Sequence, residues 1–162
     1  MARNLNLLLI ICLLLISCRT DVNVEEYINT NEKIFLKVVE KKIIEEGSIS
    51  GIYAEELKSS IVKWLDSEVK VNGFEGRAEI ILKNITADEN LIENGISINT
   101  RIDINLIIFT KSNNKKETIK LQTIEYGELT GLFSINDKSI LLNNIINRLI
   151  ERLSKDLKSK LA

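Results

Sequence analysis

Histidine and proline are absent from this chain of 162 residues, and cysteine occurs only as Cys12 and Cys18. Without histidine, the chain lacks the side chain that most often transfers protons near neutral pH and most often binds transition metals. The Ser–His and Cys–His pairs, in which a base activates a nucleophile, are therefore excluded. Ser59 and Ser60, beside Lys58 and Lys63, offer a serine–lysine pair, but they fit the surface of a predicted helix. We predict that the chain is not an enzyme.

A strong excess of charge of one sign is also missing. Lysine and arginine total 22, and aspartate and glutamate total 23. Nucleic-acid binding depends on clustered lysine and arginine that neutralise phosphates. We therefore predict no nucleic-acid partner.

Neighbouring carboxylates are present, but their spacing does not indicate a site. A glycosidase needs two acids about 5 to 10 Å apart across a cleft, whereas adjacent side chains usually point in different directions. The adjacent pairs are Glu45 with Glu46, Glu55 with Glu56, and Asp88 with Glu89. Asp88, Glu89, Asn90 and Glu93 offer oxygen ligands for calcium, but without the regular spacing of a calcium loop. We predict solvated charges, with no metal and no cofactor.

The first 18 residues, MARNLNLLLIICLLLISC, join a positively charged start at Arg3 to ten apolar residues, 7–16. Ten helical residues extend about 15 Å, which is about half the thickness of the hydrocarbon core of a bilayer. Polar residues follow at once. This pattern predicts a signal peptide over residues 1–17 rather than a membrane-spanning helix.

The segment Leu15-Ile16-Ser17-Cys18 resembles the lipobox of bacterial lipoproteins. The resemblance implies cleavage between Ser17 and Cys18, a diacylglycerol on the Cys18 sulfur and an acyl chain on its new amine. Each buried methylene contributes about 0.8 kcal/mol, so several acyl chains hold a protein where one would detach. Cys12 would leave with the signal peptide. Membrane lipid, bound through acylated Cys18, is thus the first predicted partner. The alternatives for residues 1–18 are an uncleaved short anchor or an ordinary signal peptide.

Arg19, directly after the predicted lipidation site, bears on the destination of the protein. In lipoproteins of the enterobacterial type, an aspartate at this position retains the protein in the inner membrane. Arg19 therefore implies the cell outer membrane, with the domain facing the periplasm; inner-membrane retention and surface display stay open. We interpret residues 18–32 as the lipidated cysteine with a polar tether, and residues 33–162 as one periplasmic domain.

The spacing of apolar residues predicts six elements in this domain. A strand over residues 33–45 precedes an amphipathic helix over residues 52–69, with Trp64 in its core-facing stripe. Three strands follow, the last with a bulge near Thr123 and Ile124. A long helix ends the domain, and Ser134 and Asp137 have the spacing of a capping box at its start.

The order β-α-β-β-β-α predicts an α+β fold: a single four-stranded, mainly antiparallel sheet with two helices packed on one face. Residues 96–108 alternate most clearly, with isoleucines on one face and Arg101, Asp103 and Asn105 on the other. Such alternation places one face on a core and the other against water or a partner. With Lys83 from the preceding strand, these three residues form a candidate partner-binding face.

The lipobox, the tether and this element order resemble the small LPS-assembly lipoproteins of the LptE type. That resemblance implies a protein that supports an outer-membrane translocon without performing chemistry. Trp64-Leu65 and Gly73-Phe74-Glu75-Gly76-Arg77-Ala78 also resemble a little-characterised group of proteobacterial lipoproteins. We therefore predict a non-enzymatic accessory or assembly factor that binds an envelope protein. The alternative is a carrier of lipid or another small molecule, or an auxiliary subunit of an envelope transporter.

Overall fold

The computed structural model describes residues 33–110 and 115–162. The predicted signal peptide and tether, with Ser17 and Cys18, lie outside the described residues. The elements are β1 (Ile34–Leu36), β2 (Glu40–Glu45), β3 (Ile49–Ser50), α1 (Ala54–Glu68), β4 (Val69–Val71), β5 (Arg77–Ile92), β6 (Gly95–Thr110), β7 (Lys115–Thr130) and α2 (Ile135–Leu161). Within residues 33–110 and 115–162, neither helix is both long enough and apolar enough to cross a membrane.

The predicted α+β class is confirmed, but the prediction of a single four-stranded, mainly antiparallel sheet is wrong. The main sheet has five strands, in the order β2-β5-β6-β7, and β3 also pairs with β5. β2 and β3 run parallel to β5, whereas β6 is antiparallel to both of its neighbours. β1 and β4 form a second, parallel sheet of two strands. The described part of the fold is therefore a mixed sheet with a small additional sheet.

The single strand predicted over residues 33–45 is two strands that belong to different sheets. The chain bends at residues 37–39, so that β1 pairs with β4 and β2 pairs with β5. Gly73 packs against this bend: its N–H donates to the carbonyl oxygen of Val38 over 3.0 Å. A Cβ on Gly73 would lie 2.4 Å from the Val38 nitrogen. The bend therefore depends on a residue far along the chain, which local periodicity cannot reveal.

The irregularity predicted near Thr123 and Ile124 is in another strand. β7 pairs with β6 along its whole length without a shift, whereas the register of β5 against β6 shifts between Lys83 and Thr86. Within the shift Asn84 has a φ of 41°, in the left-handed region that asparagine tolerates better than most residues. The additional residue returns the next side chain, Ile85, to the buried face.

Both helices pack on one face of the main sheet, as predicted. α2 lies mainly over β7, and α1 lies over β5. Trp64 is 4% exposed and belongs to the core, which confirms its predicted role. The largest fully buried side chains of this core are Leu36, Leu57, Ile61, Leu65, Ile80, Ile85, Ile98, Ile102, Ile104, Leu106, Leu142 and Ile145.

The predicted capping box at the start of α2 is confirmed. The Asp137 N–H donates to Ser134 Oγ over 3.2 Å, and the Ser134 N–H donates to Asp137 Oδ2 over 2.7 Å. The two side chains thus satisfy backbone donors that the first turn of a helix leaves without a helical acceptor.

The main sheet gives the molecule two distinct ends. The 16 residues of β5 extend about 50 Å at roughly 3.3 Å per residue. We call the end where β5 begins and β6 stops the basal end, and the end at the β5–β6 turn the distal end. Both helices start toward the distal end. Just before α1, the Tyr53 N–H donates to the carbonyl oxygen of Ala87, and just before α2, the Gly131 N–H donates to that of Asn94.

Candidate functional site

The four residues predicted to bind a partner lie together on one face of the main sheet, which we call the open face; in the part of the chain that the structure describes, both helices pack on the opposite face. Arg101, Asp103 and Asn105 alternate along β6 with isoleucines that are buried against the helices. Lys83 is the neighbour of Asp103 on β5. The sequence therefore located these side chains correctly, and their binding of a partner stays a prediction.

Asp103 lies at the centre of a hydrogen-bond network that joins three strands. Its carboxylate accepts from Asn84 Nδ2 at 3.0 Å, from Gln122 Nε2 at 2.9 Å and from Arg101 Nη2 at 3.1 Å. Partial burial opposes ionisation of Asp103, but the hydrogen bonds from Asn84, Arg101 and Gln122 together outweigh it and lower its pKa. The charged carboxylate thus fixes the orientation of polar groups contributed by β5, β6 and β7.

The connections next to β5 border this network. Lys83 Nζ lies 3.7 Å from a carboxylate oxygen of Glu46, which directly follows β2. Ser48 Oγ donates to Asn84 Oδ1 over 3.3 Å. The bulge in β5 is therefore part of the open face, because it directs Asn84 toward both Asp103 and Ser48.

Two large apolar side chains on the open face were missed by the sequence analysis. Ile124 is 55% exposed and Tyr126 is 64% exposed; they are the β7 neighbours of Arg101 and Asn99. The signal was present, because simple continuation of the alternation of Ile119 and Leu121 places both residues on the open face. Aromatic side chains and arginine are enriched at the centres of protein interfaces.

β7 forms one edge of the main sheet, and α2 contacts that edge at two positions. Arg148 Nη2 donates to the carbonyl oxygen of Tyr126 over 2.9 Å, and Lys160 Nζ donates to that of Lys120 over 2.6 Å. In an antiparallel strand, alternate residues direct both backbone groups to the same side. Gln122 and Ile124 therefore present their N–H and C=O groups along the same edge, between the two contacts.

A second polar cluster lies toward the distal end, on the helix side of the sheet. Glu89 Oε2 accepts from the Tyr53 hydroxyl at 2.7 Å, and Glu89 Oε1 accepts from Lys138 Nζ at 2.7 Å. The hydrogen bond from Lys138, supported by that from Tyr53, lowers the pKa of Glu89. Burial, together with the hydrogen bond to Glu89, raises the pKa of Tyr53 to about 12. The cluster joins the start of α1, β5 and the first turn of α2.

The serine–lysine and carboxylate groups that the sequence offered for chemistry form surface ion pairs or point to opposite faces of a strand. Lys58 Nζ lies 2.8 Å from Glu55 and 3.5 Å from Glu45, on the surface of α1. Asp88 and Glu89 are successive residues of β5 and so point to opposite faces. Within residues 33–110 and 115–162, no three acidic or cysteine side chains come close enough to hold a metal ion.

No protein-family model matches this chain, and no curated protein matches it. Its backbone is similar to solved structures of three bacterial lipoproteins. The minor lipoprotein of Acinetobacter baumannii aligns with 75% of this chain and 91% of its own, at 12% identity and a TM-score of 0.48. Rare lipoprotein B of Shewanella oneidensis aligns with 75% and 95%, at 8% identity and a TM-score of 0.46. Lipoprotein B of Nitrosomonas europaea aligns with 75% and 83%, at 11% identity and a TM-score of 0.39.

These neighbours are small bacterial lipoproteins, the class that the sequence resembles. Alignments with TM-scores below 0.5 carry no inference about a family, a partner or an activity.

Proposed function

We propose that this chain is a bacterial envelope lipoprotein, acylated on Cys18, that acts without chemistry of its own as an accessory or assembly factor. The lipobox Leu15-Ile16-Ser17-Cys18 is the observation that carries the proposal. Several acyl chains would confine the domain to a membrane surface. Arg19 favours the outer membrane, with the domain in the periplasm.

The open face is the proposed contact with an envelope protein. Its fixed polar network around Asp103 lies beside the exposed side chains of Ile124 and Tyr126. Apolar contacts in such a surface supply affinity, and the oriented charges supply specificity. The neighbouring β7 edge, at Gln122 and Ile124, offers backbone groups to an added strand of the partner.

A carrier function has less support. A carrier would need space for an apolar ligand, and the groove between helices and sheet is the natural place for it. In the described residues, that space is occupied by buried side chains of the core, among them Trp64, Leu65, Ile104 and Leu149. These side chains form a continuous core where the ligand would lie.

The anchor is tested first, by mass spectrometry of protein extracted from membranes. The wild type is expected to begin at Cys18 and to carry the added mass of two or three acyl chains. Cys18→Ala is expected to lose that mass and to leave the membrane fraction. Density-gradient separation of inner and outer membranes then tests the location implied by Arg19. A wild-type protein that retains Met1 and an unmodified Cys18 would refute the lipoprotein assignment.

The partner contact is tested with a photo-crosslinking amino acid placed at Ile124 and, as a control, at Leu132, which is fully exposed toward the distal end. The expected result is a discrete adduct with one envelope protein from position 124 and none from position 132. Arg101→Glu should abolish the adduct, whereas Lys155→Glu, the same charge reversal on the exposed side of α2, should not. An adduct insensitive to Arg101→Glu would argue against the open face.

A further inference from the structure

The basal end carries a group of exposed apolar side chains that the open face does not include. Two chain segments, residues 36–39 and 71–76, lie side by side there. The Asn72 N–H donates to Leu36 and the Val39 N–H donates to Gly76, over 3.0 and 3.3 Å. Exposed on these segments and on β1 are Phe35, Val39, Val71 and Phe74, of which Phe74 is fully exposed. We call residues 35–39 and 70–76 the basal surface.

The path of the chain places this surface close to the proposed anchor. Ile34 pairs with Val69. The Val69 carbonyl oxygen accepts a hydrogen bond from Lys41 Nζ, and Lys41 pairs with Ala78 near the start of β5. The described residues therefore begin at the basal end. Fifteen residue steps separate Cys18 from Lys33, and a fully extended chain of that length reaches about 50 Å.

That reach distinguishes the two ends of the molecule. The basal surface can contact the membrane even when Cys18 and Lys33 lie much closer together than this maximum length. The distal end lies about 50 Å farther along the sheet, so the same segment would have to run fully extended along the whole domain to bring that end to the bilayer. The anchor therefore favours the basal end strongly over the distal end.

The charges at the two ends agree with this orientation. Segments 33–40 and 70–77, at the basal end, contain four cationic residues and two carboxylates: Lys33, Lys37, Lys70 and Arg77 against Glu40 and Glu75. Segments 86–94 and 128–138, at the distal end, contain five carboxylates and one lysine: Asp88, Glu89, Glu93, Glu128 and Asp137 against Lys138. An anionic lipid surface attracts the first set and repels the second.

We infer that the basal surface rests on the bilayer that holds Cys18, with Phe74 and Phe35 in the interfacial region and Lys33, Lys37 and Lys70 facing anionic headgroups. Phenylalanine on a surface that lies in the interface buries its apolar ring at the boundary between headgroups and acyl chains. The inference rests on the proposed lipoprotein function and adds an orientation: the basal end lies on the membrane, and the distal end points away from it.

The test uses the full processed and acylated protein in vesicles of phosphatidylethanolamine and phosphatidylglycerol. Alkylation blocks the Cys18 sulfur and Cys12 leaves with the signal peptide, so an introduced cysteine is the one free thiol. Glu75→Cys and Glu93→Cys provide a matched pair, because both replace an exposed glutamate in a loop, at the basal and distal ends respectively. Each thiol receives an environment-sensitive fluorophore, and its quenching by nitroxide-labelled lipid is measured.

We expect several-fold stronger quenching at position 75 than at position 93. Phe74→Ser should reduce the quenching at position 75 several-fold, and Phe74→Leu should retain most of it; both variants should stay bound to the vesicles through Cys18. Equal quenching at the two positions with Cys18 acylated would overturn the inference and leave the lipoprotein function standing. If the emission of the fluorophore at position 75 were already blue-shifted before lipid is added, a second copy of the chain would cover the basal surface. That result would also overturn the inference. An unacylated Cys18 would overturn both proposals.

Discussion

Lys138 Nζ lies 2.7 Å from Glu89 Oε1, which ties the first turn of the final helix to a strand 49 residues earlier in the chain. The second oxygen of the same carboxylate accepts from Tyr53, directly before α1. One carboxylate therefore connects the starts of both helices to the sheet. Because its side chain is only 16% exposed, its loss should affect folding rather than binding.

Glu89→Gln should lower the free energy of unfolding by about 1 to 2 kcal/mol at pH 7, since it removes the charge from two partly buried hydrogen bonds. The pKa of Glu89 is lowered in the folded protein. Its charge therefore contributes stability above the ordinary pKa of 4.5, and that contribution disappears as the pH falls through the folded-state pKa. Urea unfolding at pH 7 and near pH 3 should show the difference between wild type and variant narrowing at acid pH.

Glu93→Gln provides the control for that experiment. It makes the same chemical change at an exposed position in the turn after the same strand, so a small effect is expected at both pH values. If Glu89→Gln and Glu93→Gln had equal unfolding free energies at pH 7, the cluster around Glu89 would have no role in stability.

The capping box at Ser134 should be worth about 1 kcal/mol. Ser134→Ala removes the acceptor of the Asp137 N–H and the partner of the Asp137 carboxylate, and loss of such a cap typically costs between 0.5 and about 2 kcal/mol. Ser139→Ala, the same substitution on the exposed side of α2, should be neutral or slightly stabilising because alanine favours helix. Chemical unfolding of the two variants separates capping from helix propensity.

The sequence predicted those features that depend on local periodicity. The capping box, the burial of Trp64 and the placement of Arg101, Asp103 and Asn105 opposite the core all follow from spacing within one element. The bend at residues 37–39 does not, because it depends on Gly73 and on pairing with β4. No glycine or proline marks it within residues 33–45.

Two residues of β7 break the alternation of polar and apolar side chains, although the strand itself is regular. Glu125 is on the helix side and buried, where its charge meets Arg152 Nε at 2.7 Å and Arg148 Nε at 3.4 Å. Ile124 is exposed on the open face. A buried glutamate beside an exposed isoleucine suggests a phase change when polarity alone is considered. The arginines of α2 that make burial of Glu125 tolerable lie outside the strand, so the strand sequence does not reveal them.

Gly95→Ala should destabilise the protein by about 2 kcal/mol or more. A Cβ at this position would lie 1.8 Å from the carbonyl oxygen of Leu129, and backbone cannot move aside as a flexible side chain can. Gly131→Ala is the comparison: no atom of the described residues lies within 4 Å of the Cβ that alanine would add, but the φ of 78° at this position is unfavourable for alanine. That strain should cost about 1 kcal/mol. Thermal or urea unfolding should rank Gly95→Ala as the more damaging change.

Asp103→Asn separates a functional role of the open face from a structural one. Its side chain is only 19% exposed and accepts hydrogen bonds from Arg101, Asn84 and Gln122, so we expect the unfolding free energy to fall by about 1 to 2 kcal/mol at pH 7, as for Glu89. Because the folded-state pKa of Asp103 is lowered, this difference should vanish as the pH falls through that pKa. The photo-crosslink from position 124, in contrast, should weaken several-fold at pH 7, whereas Glu151→Gln, the same carboxylate-to-amide change at an exposed position of α2, should leave it intact. A fully retained crosslink in Asp103→Asn would mean that the network orients its own side chains but does not recognise the partner.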